Sequence, residues 1–245
     1  MNKLLSLLFI LLLPVYVWGQ SKRSNQYYEQ GTELYNAQKY EEAIWYFQKS
    51  DELDKKQLSP TSENYYRAEI AIASCLNNLA CTKSDQGNYQ EAIRLGTEAM
   101  KIYKKVLGEE HPDYATSLGN LAGYYSHLGN YQEAIRLGSE FMEIYKKYYY
   151  YGEGDPDYAT SLYNLANFYE HLGNYQEAIR LETEVMEIRK KVLGEEHPDY
   201  ATSLGNLAIF YEHLGNYQEA IRLGTEVMEI YKKALGEEHP DYATS

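Results

Sequence analysis

Histidine is the first residue type here whose chemistry invites a site, because imidazole is a common metal ligand and changes charge near neutrality. The six histidines form two repeated sets. His111, His197 and His239 each open a His-Pro-Asp-Tyr-Ala-Thr-Ser phrase, whereas His127, His171 and His213 each precede Leu-Gly-Asn. Within one unit the sets stand 16 residues apart, about 24 Å along a helix, so no single ion spans them. One histidine per unit does not build a compact coordination shell across units either. No metal and no cofactor is therefore expected.

Other reactive groups give the same answer. There is no Gly-x-Ser-x-Gly elbow and no Gly-x-x-x-x-Gly-Lys-Ser/Thr phosphate loop, the backbone devices that acyl and phosphoryl chemistry need. Cys75 and Cys81 lie six apart in a stretch that reads as helix. That is a rise of about 9 Å, beyond the roughly 7 Å between Cα atoms that a disulfide tolerates. Both are read as free thiols, and a Cys-x-x-Cys motif is absent. The many carboxylates recur at helical spacing beside Lys and Arg, or at turns such as Gly108-Glu109-Glu110, which is the pattern of solvated surface. The chain is not expected to be an enzyme.

The formal net charge is −13. Nucleic acid is bound through clustered Lys and Arg, and anionic membrane surfaces through basic patches, so neither partner is expected. A basic protein partner is favoured. Tyrosine is abundant, at 28 residues against 5 Phe and 2 Trp.

The amino terminus carries its own signal. Met1-Asn2-Lys3 supplies a positive charge, an apolar run broken by Ser6 and Pro14 follows, and Val17-Trp18-Gly19 closes it. This is the layout of a secretory signal over residues 1–19, with cleavage expected before Gln20. The run is short for a membrane span. The protein is therefore expected to be exported, periplasmic or secreted.

Internal repetition organises the remainder. Gly-Asn-Tyr-Gln-Glu-Ala-Ile-Arg-Leu begins at Gly87, Gly129, Gly173 and Gly215, at spacings of 42, 44 and 42 residues. The 44-residue step reflects two extra residues in the stretch that holds the tyrosine run 148–151. That run reads either as a sticky patch or as a helix end extended against the next unit. Each unit reads as two helices. In the unit opened by His111, Pro112 suits the first helical turn and Asp113 the positive end of the helix. Apolar residues then recur at Tyr114, Leu118, Leu121, Ala122, Tyr125 and Leu128, a helical period. Gly129-Asn130 tolerates the left-handed backbone that ends a helix. The second helix starts near Tyr131, with a stripe of Ala134, Ile135, Gly138, Phe141, Met142 and Tyr145. Neither helix can bury its stripe alone, so units must stack.

These residues resemble the tetratricopeptide-repeat family. The likeness rests on Leu121-Ala122, Leu165-Ala166 and Leu207-Ala208 in the first helices. It rests also on the Tyr-x-Glu-Ala-Ile entries to the second helices at Tyr89, Tyr131, Tyr175 and Tyr217. The 42-residue period looks like the long-helix subtype of kinesin light chains, since the family's usual unit is shorter. The resemblance implies an all-α, right-handed superhelical solenoid over residues 20–245. Its units fall near 24–57, 66–107, 111–149, 155–193 and 197–235, with an incomplete helix at 239–245. A capping helix normally closes such a stack, so the chain is expected to be either a truncated product or the first part of a longer protein. Self-association through an uncapped end is a further expectation. One position departs from the family, which commonly has an aromatic where this chain has Gly96, Gly138, Gly224 and Glu182. A glutamate is costly in a dry core, so this position is expected to lie away from deep burial.

The resemblance also places a ligand. The first-helix face opposite the apolar stripe carries Thr116, Asn120, Gly123 and His127 in the third unit and Thr160, Asn164, Asn167 and His171 in the fourth. In the fifth it carries Thr202, Asn206, Ile209 and His213, and in the second Ser74, Asn78, Cys81 and Asp85. In the family this face lines the concave groove. An asparagine ladder of Asn78, Asn120, Asn164 and Asn206 is thereby implied, able to pair with a peptide's N–H and C=O alike. Specificity would come from Tyr163, Asn167, Ile209, Gly123 and Cys81. The Lys/Arg carboxylate clamp of some family members is absent from this face. The expected function is an exported scaffold binding a protein or peptide. The alternative is the sensory or adaptor segment of a larger protein with a caspase-like or histidine kinase part beyond Ser245.

Overall fold

A computed structural model of the chain describes residues 22–60, 62, 64–148 and 156–235. The leader, the cleavage point before Gln20, the inserted stretch 149–155 and the fragment 239–245 with His239 lie outside the described residues. All regular structure among the described residues is helical: α1 (22–36), α2 (Tyr40–Gln57), α3 (Arg67–Asp85), α4 (Tyr89–Leu107), α5 (Pro112–His127), α6 (Tyr131–Tyr148), α7 (Pro156–His171), α8 (Tyr175–Leu193), α9 (Pro198–His213) and α10 (Tyr217–Leu235).

The repeated phrases work as helix punctuation. Gly129 sits at φ 74°, a left-handed conformation that glycine adopts without a Cβ clash. The Asn130 N–H then reaches back to the Tyr125 carbonyl at 2.9 Å, which closes α5 with a Schellman turn. The same asparagine caps the next helix, its side chain accepting from the Glu133 N–H at 3.3 Å. Asn88, Asn174 and Asn216 do likewise for Glu91, Glu177 and Glu219. At the other junction, His111 Nδ1 accepts from the Asp113 N–H and His197 Nδ1 from the Asp199 N–H, both at 3.1 Å. These histidines are N-caps, a role that their spacing alone does not reveal.

Two compact units form, Met1–Ser117 and Leu118–Ser245. In the first, α2 packs on α3 and α3 on α4. Ala43, Phe47, Ala68 and Cys75 make a core flanked by Tyr28, Tyr35 and Ile44. Gly31 leaves room for the Phe47 ring, since a Cβ there would stand 2.7 Å from Phe47 Cε1. Neither Cys75 nor Cys81 is in a disulfide, and burial pushes the Cys75 thiol up to about 12. Arg67 joins three helices. Its Nε donates to Asp54 Oδ2 at 3.1 Å, and its Nη2 donates to Asn25 Oδ1 at 2.7 Å and to Ser24 Oγ at 3.1 Å. Ser24, which also donates to Asp54, is buried together with Ser50.

In the second unit, α6 packs on α7, α7 on α8, α8 on α9 and α9 on α10. Tyr200, Ala201, Leu204 and Leu207 of α9 meet Leu223, Val227 and Ile230 of α10, and Ile179 and Met186 of α8 close over the same cluster. Two apolar stripes need correction. Leu128 is 46% exposed and stands in the turn after α5, and Tyr125 is only half-buried. Tyr124 and Leu137, outside the expected stripes, are buried.

The largest correction concerns the position of Gly96, Gly138, Gly224 and Glu182. Gly96 and Gly138 are buried and Gly224 is half-buried, while Glu182 is 0% exposed. This position lies on the seam between one hairpin and the next. A Cβ on Gly138 would meet Leu165 Cδ1 at 3.4 Å and Phe168 Cε2 at 3.9 Å, both on α7. A glutamate is accommodated in the fourth unit because α9 meets it with Ser203 and Asn206.

Candidate functional site

The asparagines of the second unit share one register position, just before the buried leucine of each first helix. Asn120 is half-buried on α5, Asn164 exposed on α7, and Asn206 half-buried on α9. Asn206 Nδ2 donates to Glu182 Oε1 at 3.3 Å. In the first unit, Asn78 is half-buried on α3 and its Nδ2 donates to the Tyr35 hydroxyl at 2.9 Å. A primary amide has two N–H groups and a carbonyl, so one such bond fixes the amide plane without using up its capacity.

The expected variable steps lie beside these amides. Tyr163 and Asn167 are half-buried on α7, Ile209 is exposed on α9, Gly123 is half-buried on α5, and Cys81 is half-buried on α3. The Tyr163 ring carries the Arg189 guanidinium, 5.4 Å from its centroid. Arg189 in turn donates from Nη1 to Ser203 Oγ at 2.8 Å and to the Asp199 carbonyl at 3.2 Å.

The second histidine set also packs. His127, His171 and His213 are exposed at the ends of α5, α7 and α9. The His171 ring stacks on Tyr131 with centroids 4.4 Å apart, and His213 stacks on Tyr175 at 4.5 Å. The last residue of a first helix thus rests on the first residue of the preceding second helix. Sequence reasoning missed this contact, although the matched repetition of Tyr131 with His171 and Tyr175 with His213 was a signal for it. Among the described residues, no group of three or more His, Cys, Asp or Glu side chains is placed to hold a metal. None of the described helices is long and apolar enough to cross a membrane.

Around Glu182 burial dominates the electrostatics. Burial drives the carboxyl upward, while hydrogen bonds with Ser203 and Asn206 and the Arg189 charge oppose that rise, leaving it at about 7. Its Oε2 meets no hydrogen-bond partner.

A family model described as tetratricopeptide repeat matches residues 71–147, 157–233 and 204–245. A model described as anaphase-promoting complex subunit 5 matches residues 27–106. No curated protein sequence matches the chain. Among solved structures, the chain is similar to a kinesin-light-chain-like protein from Podosopora anserina with nearly identical TPR-like repeats. That likeness has 27% identity and a TM-score of 0.56, covering 88% of this chain and 98% of that one. It is also similar in fold to BtubC (BKLC) from P. vanneervenii, at 20% identity and TM-score 0.61 over 91% of this chain and 94% of that one. A third likeness in fold is to MamA protein, at 18% identity and TM-score 0.56 over 90% and 97% of the two chains.

Proposed function

We propose that this chain, which belongs to the tetratricopeptide-repeat family, is an exported scaffold that binds an extended protein segment and performs no chemistry of its own. The observation that carries this reading is Asn164. It is exposed on α7, at the register position that also holds Asn120 and Asn206, with Tyr163 and Asn167 beside it. Paired donor and acceptor groups at repeat intervals suit a peptide backbone whatever its side chains. Tyr163 and Ile209 supply the apolar contacts that distinguish one segment from another. Export rests on the leader in residues 1–19.

The chain from Gln20 onward, used as bait against cell-envelope, secreted and cytosolic extracts, tests both parts. A partner drawn from the envelope or secreted fraction, and lost with Asn120→Ala/Asn164→Ala, is the expected result. Capture unaffected by the double substitution would refute the groove, and capture from the cytosolic extract alone would refute export.

A specific exposure favours self-association as a second property. Ile221 and Met228 of α10 stand 70% and 42% exposed, whereas Ile179 and Met186, at the same register on α8, are packed by the following hairpin. A second copy covering α10 should give a sedimentation mass that rises with concentration. A constant monomer mass would eliminate it.

A further inference from the structure

Three of the positions at which the fourth repeat departs from its neighbours bear on one place. Tyr163 replaces the glycine found at 119 and 205, Glu182 replaces the glycine at 96, 138 and 224, and Arg189 replaces the tyrosine at 103, 145 and 231. All three meet in one place. Arg189 lies over the Tyr163 ring and donates to Ser203. Glu182 is bonded to that same Ser203 and to Asn206. A carboxyl and a guanidinium thus converge on one hydroxyl of α9, in a seam that other repeats fill with a glycine.

The arrangement is lopsided. Glu182 is 0% exposed, one oxygen is bonded, and Oε2 has no partner. A protonated carboxyl tolerates such a place far better than a carboxylate, whose desolvation demands several donors or a close counter-charge. We propose that Glu182 makes the seam between α8 and α9 sensitive to pH, the α9–α10 hairpin packing tightly while the carboxyl is protonated and loosening when it ionises.

The groups that face the carboxyl define what can happen there. From α8 itself the charged neighbour is Arg189, whose attraction is the weakest of the influences acting on Glu182. From α9 come the neutral side chains Ser203 and Asn206. From α7 comes Tyr163, which lies under the guanidinium. Burial holds the folded carboxyl at about 7, above its ordinary 4.5. Between those two values the native state keeps a proton that the opened state has shed. Stability therefore falls as pH rises through that window and is level above and below it. The opening equilibrium of the hairpin shifts on the order of 100-fold across the window. The difference between wild type and Glu182→Gln is the decisive reading.

Hydrogen exchange of α9–α10 amides, corrected for intrinsic rates and referred to α6–α7, provides the test at pH 5 and pH 8.5. The wild-type hairpin should open far more often at pH 8.5, by a factor on the order of 100 relative to Glu182→Gln, and Glu182→Gln should show no such rise. A wild-type hairpin that opens equally at both pH values overturns the proposal, as does a rise that persists in Glu182→Gln. Carbon-13 titration of the Glu182 carboxyl in the unaltered protein gives a check independent of any variant. A midpoint near neutrality supports the proposal, and one near the ordinary 4.5 contradicts it. Neither readout depends on a bound peptide, so the result stands apart from the fate of the groove.

Discussion

Arg67→Ala is expected to destabilise the first unit by about 3–5 kcal/mol, the loss that follows when one partner of a buried ion pair is removed. Asp54 is buried, and Arg67 supplies its charge partner at 3.1 Å. The same guanidinium binds Ser24 and Asn25 of α1 and lies 4.7 Å from the centroid of the Tyr28 ring. Truncation leaves Asp54 without its cation and removes the links that Arg67 makes from α3 to α1 and α2. Arg67→Lys should recover little, because an ammonium cannot reproduce a planar fork that serves several acceptors and a ring. Chemical denaturation of Arg67→Ala, Asp54→Ala and the double variant measures the coupling. A double variant clearly more stable than the simple sum of the single losses is expected. Strict additivity would mean that the pair contributes nothing of its own.

The second large effect lies in the core of the same unit. Phe47→Ala should cost about 3–5 kcal/mol, combining lost transfer energy with the cavity left behind, since Phe47 is buried against Tyr28 at a ring separation of 5.3 Å. Gly31→Ala should cost about 1–3 kcal/mol for the opposite reason, because its new Cβ would overlap the ring. The two changes compensate in shape. The Gly31→Ala/Phe47→Ala protein should therefore lose clearly less than the two single losses combined, as read from urea midpoints at constant slope. A loss equal to the sum would show that the Gly31–Phe47 contact is not what makes Gly31 costly to replace.

Much of the fold was legible because several local signals agree at each junction. Gly129-Asn130 marks a helix end by conformational tolerance, and the adjacent Tyr-Gln-Glu-Ala-Ile phrase opens the next helix with apolar residues at helical spacing. Repetition then confirms each boundary in the other units. The seam chemistry was not legible for a physical reason. A hydrophobic pattern assigns a glutamate to solvent, and only the neighbouring hairpin shows that Glu182 faces Ser203 and Asn206 in a dry contact. The repeat register did carry a clue, since Glu182 and Arg189 depart from it together seven residues apart, on one helical face. Histidine roles were hidden in the same way. Capping by His111 depends on which ring nitrogen meets the Asp113 N–H, and stacking of His171 depends on where Tyr131 of the preceding hairpin lies. The apolar period extends to Leu128, whereas α5 ends at His127 and leaves Leu128 exposed in the turn.

For the amide face, register gives the position of each asparagine but not its partner. Asn78 and Asn206 each spend one N–H on a neighbouring side chain, which orients them, while Asn164 is exposed. Binding should therefore be more sensitive to Asn164 than to Asn206. Replacing Asn206 also disturbs the Glu182 seam, so its loss would appear in stability as well as in affinity.

Selection of peptides from a random displayed library on the chain from Gln20 onward, followed by titration calorimetry on wild type and Asn164→Ala, addresses the scaffold claim most directly. Extended peptides that bind wild type and lose on the order of tenfold or more in affinity with Asn164→Ala, as expected for about 1.4 kcal/mol of lost backbone hydrogen bonding, are the predicted result. Peptides that bind both proteins equally, or a library that yields none, would contradict an amide-lined groove as the working surface of this protein.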